Sequence, residues 1–204
     1  MTSESNKVSK KILLGVTGGI AVYKSCDLVR LLVKAGHEVR VIMTEHAREF
    51  VTPLTFEVLS RNPVPEGMFG PRSVSYHAGG AVVDHVEAAV WCDLFAIAPA
   101  TANIIGKLAS GIADDLLTTV ALAVPVSTPA LLAPAMNTRM WENPILQKNL
   151  KILSTGKEAL YKVVPPVAKE LACGETGVGA LASPEDIFNT ITAMLGLAGG
   201  TGKP

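Results

Sequence analysis

Lys11-Ile12-Leu13-Leu14-Gly15-Val16-Thr17-Gly18-Gly19-Ile20 is the stretch on which the fold turns. Residues 11–16 form a short apolar run closed by a turn, as expected of a strand buried on both faces of a parallel sheet. From Ile20 to Ala35 the apolar side chains Val22, Leu28, Val29, Leu31 and Leu32 fall at helical spacing, and Gly36 marks the stop. The unit is strand, glycine turn, helix. It recurs down the chain. Further strands are predicted at residues 39–43, 94–98, 131–133 and 160–164. Helices are predicted over 83–91, 101–108, 113–122 and 144–153, with one over 45–51 and 55–59 interrupted at Pro53. Ser183-Pro184-Glu185-Asp186 opens a last helix that runs to Leu195, with Pro at its first position and acids in its first turn. Alternating strands and helices imply an α/β fold with a doubly wound parallel sheet in a single domain, residues 10–195. Residues 1–9 read as a disordered tail, 61–81 as an excursion loop rich in Gly, Pro and Ser, and 196–204 as a flexible tail.

Composition narrows the function. The chain has 204 residues, enough for one α/β domain with a full core. Hydrophobic residues make up 49% and charged residues 18%, which is apolar for a monomer. A doubly covered sheet accounts for part of that, and a large subunit interface for the rest. Acidic and basic residues balance at 18 each with no basic stripe, so nucleic acid is not an expected partner. Cys26, Cys92 and Cys173 are odd in number and form no CxxC pair, which argues against a disulfide framework or zinc site and for a reducing cytosol. The N-terminus lacks the apolar core of a signal peptide. The apolar stretch 116–136 is broken by Pro125, Pro129 and Pro134, so no membrane span is expected.

The chemistry gathers at the ends of the predicted strands. In Pro134-Ala135-Met136-Asn137-Thr138-Arg139-Met140-Trp141 a short strand ends in an amide and turns into a helix, which places Asn137 at the carboxyl edge of the sheet. Gly18 and Gly19 let backbone N–H groups approach a phosphate, though a plain tight turn needs the same residues. Thr44 ends the second strand and either caps a helix or holds a phosphate. Ala98-Pro99-Ala100-Thr101-Ala102-Asn103 ends the third, with small residues that admit a flat ring. Asn103 either bonds the ring edge or caps the next helix. His85 lies beside Asp84 and Glu87, a setting more often structural than catalytic. Ala172 to Gly179 reads as a glycine-rich loop whose Cys173 thiol is expected to be exposed and mobile, whereas Cys26 and Cys92 sit in helix patterns and are expected to pack.

Four ordered motifs together resemble the flavin-containing cysteine decarboxylases. They are Pro99-Ala100-Thr101-Ala102-Asn103-Ile104, the PxMNxxMW pattern from Pro134 to Trp141, His85-Val86-Glu87 ahead of Trp91-Cys92-Asp93, and ACGxxGxG from Ala172 to Gly179. The match runs from about Lys10 to Ile191, with Gly19 where many members have Ser and Ile104 where many have Thr. The segment from Pro63 to Gly80 has no counterpart in the pattern.

The resemblance implies a flavodoxin-like fold, homotrimers or higher assemblies of trimers, and FMN at the subunit interface. It implies cofactor contacts at Gly18, Gly19, Ile20, Thr44, Ala100, Thr101, Ala102, Asn103 and Ala135. It implies substrate contacts at Asn137, Met140, Glu170, Ala172, Gly174 and Leu181, and catalytic roles for His85, Asn137 and Cys173. The implied reaction oxidises a cysteine side chain to a thioaldehyde, releases carbon dioxide to give an enethiolate, and reduces that to a thiol. Cys173 in the loop favours a phosphopantothenoylcysteine substrate on the route to coenzyme A. The alternatives are a decarboxylase of peptide C-terminal cysteines, which releases the enethiol, and a flavin-binding regulatory subunit without turnover. A flavin prenyltransferase shares the fold but fits these motifs poorly.

Overall fold

The computed structural model describes residues 8–68, 85–156, 159–170 and 176–196. Five parallel strands form the central sheet: β1 (Lys11–Val16), β2 (Glu38–Met43), β3 (Leu94–Ala100), β4 (Ala130–Pro134) and β5 (Tyr161–Val163). Their spatial order is β2-β1-β3-β4-β5. This is the flavodoxin-like order, whose direction reverses between β1 and β3; ligands bind outside the carboxyl ends of the strands at that switch point. Both faces are covered. On one lie α1 (Val22–Lys34), α3 (Pro53–Ser60) and α9 (Pro184–Met194), whose Leu28, Leu32, Phe56, Ile187 and Ile191 pack with Ile12 and Leu14. On the other lie α4 (His85–Trp91), α5 (Ala102–Ser110), α6 (Leu116–Ala123) and α8 (Pro144–Ser154), with Ile105, Leu117 and Leu150 against Leu13 and Phe95. Side chains of successive β1 residues enter opposite clusters, as a doubly covered strand requires. Every residue of β3 and β4 is buried.

Several boundaries differ from the sequence expectations. Pro53 does not interrupt a helix; it begins one. The short α2 (Glu45–Arg48) ends, the chain extends through Thr52, and Pro53 takes the first position of α3, where its missing N–H costs nothing. Ile20 belongs to the turn, because α1 starts at Val22. The larger departure is a second sheet. β6 (Val167–Glu170) and β7 (Thr176–Ala180) pair antiparallel, so most of the expected glycine-rich loop after residue 175 is strand. Alternating glycines hid it, since Gly177 and Gly179 carry no β-propensity signal. The Ser183 cap is as expected, with its hydroxyl accepting from the Asp186 N–H at 3.0 Å. The expected tails and the excursion loop lie largely outside the described residues.

The sheet's centre is stitched by two buried hydroxyls. Register between β3 and β4 breaks between Ile97 and Ala100, and β1–β3 pairing ends at Gly15 and Ile97. Past that point Ser25 Oγ donates to the Ala98 carbonyl and Thr17 Oγ1 to the Pro99 carbonyl, both at 2.7 Å. Ser25→Ala takes that partner from the Ala98 carbonyl, so it is expected to destabilise the fold by about 1–3 kcal/mol, measurable as a fall in the denaturant midpoint.

Candidate functional site

The carboxyl ends of β1, β3 and β4 converge through a chain of hydrogen bonds. The Thr101 N–H donates to Thr17 Oγ1 at 3.1 Å, the Ala135 N–H to the Ala100 carbonyl at 3.1 Å, and the Met136 N–H to the Gly179 carbonyl at 2.9 Å. The last bond ties the β6–β7 hairpin to the turn after β4. Around this spine open two adjoining chambers of about 770 and 560 Å3, which share Gly19, Thr101, Ala135 and Met136.

The larger chamber lies between the β1 turn, the start of α2 and the start of α5. Of the expected cofactor contacts, Gly18, Thr44, Ala102 and Asn103 line it alone, while Gly19, Thr101 and Ala135 line both. Gly18 is obligatory for a steric reason: a Cβ there would collide with His46 Cβ and come within 2.7 Å of the His46 backbone. Thr44 occupies the N-cap position of α2 yet makes no capping bond, and its buried hydroxyl has no hydrogen-bond partner. A buried hydroxyl without a partner costs free energy unless a ligand meets it. Asn103 is not a cap either. Thr101 caps α5 through the Ile104 N–H, leaving Asn103 exposed at the chamber wall. Lys107, bonded to Asp114 at 2.7 Å, closes the far wall. That bond holds the Lys107 ammonium above, and the Asp114 carboxyl below, their ordinary values.

The smaller chamber lies under the hairpin. Asn137 lines it, with Ile20 from the first turn and Leu181 just beyond β7. Asn137 heads α7 (Thr138–Trp141), and its Oδ1 accepts the Arg139 N–H at 2.8 Å. The same amide thus caps a helix and faces the chamber, which fixes its position. Met140, expected beside the substrate, lines the larger chamber instead. Ala100, expected to touch the cofactor, is fully buried in the core and lines neither chamber. His85 begins α4, half-buried, and lines neither. Ala172, Cys173, Gly174 and the Glu170 side chain lie outside the described residues. Cys92 is buried and its thiol is pushed up to about 11, chiefly by burial, as suits a packing residue. Thr17 in the larger chamber and Tyr23, Lys24 and Lys169 in the smaller one also line the site, beyond the residues the sequence motifs single out. Thr17 was visible as the hydroxyl of the first turn. Lys24 and Lys169 come together only in three dimensions. Among the described residues no cluster of His, Cys, Asp or Glu could hold a metal ion, and no helix is long and apolar enough to cross a membrane.

A family model described as Flavoprotein matches residues 1–196, and the chain belongs to that family. It is therefore a flavoprotein. The larger chamber fits such a group, given the unpartnered Thr44 hydroxyl and a turn that only glycine admits beside His46. A Streptococcus mutans protein named as a probable phosphopantothenoylcysteine decarboxylase is 45% identical over 188 residues, covering 92% of this chain and all of that one. The coenzyme A biosynthesis bifunctional protein CoaBC of Bacillus subtilis is 48% identical over 88% of this chain, which spans only 41% of that protein. Among solved structures, a cysteine-to-serine variant of PPC decarboxylase complexed with pantothenoylaminoethenethiol matches 92% of this chain with a TM-score of 0.79 at 32% identity. That chain is covered to 98%. The FMN-binding protein AtHal3 matches with a TM-score of 0.76 at 33% identity, over 92% of this chain and 97% of that one.

Proposed function

We propose that this chain is an FMN-dependent decarboxylase that converts phosphopantothenoylcysteine to phosphopantetheine. The observation that carries it is a rigidly held amide, Asn137, in a chamber opening directly onto the one that fits the flavin. The names of the relatives point the same way, and one of them was captured with an enethiol of the kind decarboxylation leaves.

Bound FMN supplies a two-electron oxidant for the first step and a reductant for the last. The residues divide the remaining work. Asn137 Oδ1 is engaged by the α7 backbone, so the amide meets the substrate carboxylate as a donor. The thiol-bearing carbon loses a hydride and its sulfur loses a proton, giving a thioaldehyde. The carboxylate then leaves as carbon dioxide, its electron pair passing through the carbon–carbon bond to sulfur. Return of the hydride to that carbon and of a proton to the carbon that lost carbon dioxide, with a second proton taken up at sulfur, gives the saturated thiol with no net redox change. Cys173 is the proposed proton donor in that last step. His85 serves the oxidation as a base or as an orienting group near the flavin. The exposed Val86 and Val90 of α4 and Leu122 of α6 offer an apolar face for the homotrimer, with the flavin near the contact. We place this unit, residues 10–195, in a reducing cytosol.

The test is mass spectrometry of the product formed from phosphopantothenoylcysteine. Wild-type protein with FMN should release carbon dioxide and yield phosphopantetheine. Cys173→Ser should release carbon dioxide but accumulate the enethiol. Saturated thiol as the main product of that variant would remove Cys173 from the mechanism, and no carbon dioxide from the wild type would overturn the function.

A further inference from the structure

We propose that Lys24 and Lys169 form a clasp for the phosphate monoester of the substrate in the smaller chamber. This rests on the decarboxylase function above and adds a specificity element to it. The two lysines come from distant parts of the chain, α1 and β6, and both line the chamber that holds Asn137. The described lining of that chamber contains these two ammonium groups and no carboxylate. Lys24 Nζ donates to the Leu181 carbonyl at 3.2 Å. An ammonium has three donors, so this bond anchors the group and leaves donors for a ligand. Lys169 makes no ion pair with any described residue.

Two cations turned on one cavity without an intervening anion repel each other. Burial first, and then the charge of Lys169, hold the Lys24 ammonium below its ordinary value. A phosphate monoester, carrying about −1.5 to −2 charges at neutral pH, would bridge the pair and relieve that cost. The chamber then carries two kinds of anion-binding group. Asn137 contributes an amide suited to a carboxylate, and Lys24 and Lys169 a cationic pair suited to a phosphate. A ligand anionic at both ends fits it, and phosphopantothenoylcysteine is such a molecule.

The flavin carries a phosphate monoester too. The unpartnered Thr44 hydroxyl and the Gly18 turn lie in the other chamber, which neither lysine lines, and they suit the cofactor's phosphate. Experiment separates the two sources. The ratio of kcat/KM for phosphopantothenoylcysteine to that for pantothenoylcysteine is measured for the wild type, Lys169→Ala, Lys24→Met and the double variant. FMN retention is compared with riboflavin retention in the same proteins. The ratio should fall by about tenfold in each single variant, the size of one lost charge-assisted hydrogen bond, mainly through KM. It should fall further in the double variant, and Lys169→Arg should restore most of it. A structural role would lower both substrates alike, and an unchanged ratio overturns the clasp. Selective loss of FMN over riboflavin would assign the pair to the cofactor and overturn it equally. Calorimetric titration with phosphopantetheine and pantetheine provides a readout without turnover. The wild type should prefer the phosphorylated compound and the double variant should not; equal binding by the wild type refutes the clasp. Absence of carbon dioxide release from either cysteine compound would strike the decarboxylase function instead, and the titration would still decide the clasp.

Discussion

Asn137→Asp is expected to lower carbon dioxide release by at least about a hundredfold, the scale on which removing one aligned donor acts, while the protein stays folded and yellow. The substitution isolates one of two roles. Asn137 Oδ1 caps α7 by accepting the Arg139 N–H at 2.8 Å, and aspartate caps a helix as well as asparagine does. The helix start therefore survives. What disappears is the amide donor, and what replaces it is a negative charge facing the substrate carboxylate. Asn137→Ala is the complementary variant, since it removes both roles and should lose thermal stability as well as turnover. Carbon dioxide release from Asn137→Asp at near the wild-type rate would show that the substrate carboxylate binds elsewhere.

Gly179→Ala is expected to cut turnover by about a hundredfold, through displacement of the hairpin on the scale of an ångström, with a modest fall in melting temperature. Gly179 is buried, and its backbone lies directly on the turn that carries Asn137. A Cβ there would collide with the Met136 carbonyl oxygen and sit 3.3 Å from the carbonyl carbons of Met136 and Asn137. The hairpin must lift, and the bond from the Met136 N–H to the Gly179 carbonyl, 2.9 Å long, must lengthen or break. Gly177 meets the Thr138 side chain in the same way, so two positions hold the hairpin against α7. The parallel sheet does not depend on this contact, which is why stability should fall far less than activity. Val178, between them and exposed, serves as the control: Val178→Ala should behave as wild type. Full activity in Gly179→Ala would mean that the hairpin is not part of the site.

The two substitutions bear on one arrangement. Asn137 is positioned from below by its helix and from above by the hairpin. The larger chamber is set more simply, mostly by the ends of β1, β2 and β3, with Ala135, Met136 and Met140 added from the segment after β4. Its contacts are local to strand–turn–helix units, which makes them legible in one dimension. The smaller chamber is assembled from α1, the turn after β4 and the second sheet, residues far apart in the chain.

The primary structure alone was sufficient for the parallel sheet, its helices and the residues at its carboxyl edge. Short apolar runs such as Ile12 to Val16 and Leu94 to Ala98 specify strands buried on both faces, and the polar residue after each run falls at the edge by necessity. Thr44, Thr101 and Asn137 are legible for that reason, and Gly18 as part of the turn that follows β1. Tertiary structure decided the rest, because it depends on what each group meets across space. Thr44 looks like a helix cap until the hydroxyl is found buried and unpartnered. Thr176 to Ala180 looks like a loop because a strand rich in glycine has few side chains to reveal its period, and its pairing with Val167 to Glu170 supplies what propensity does not. Lys24 looks like an ordinary surface lysine of an amphipathic helix. Only the folded chain brings its ammonium to the Leu181 carbonyl and sets it, with Lys169, around the chamber of Asn137.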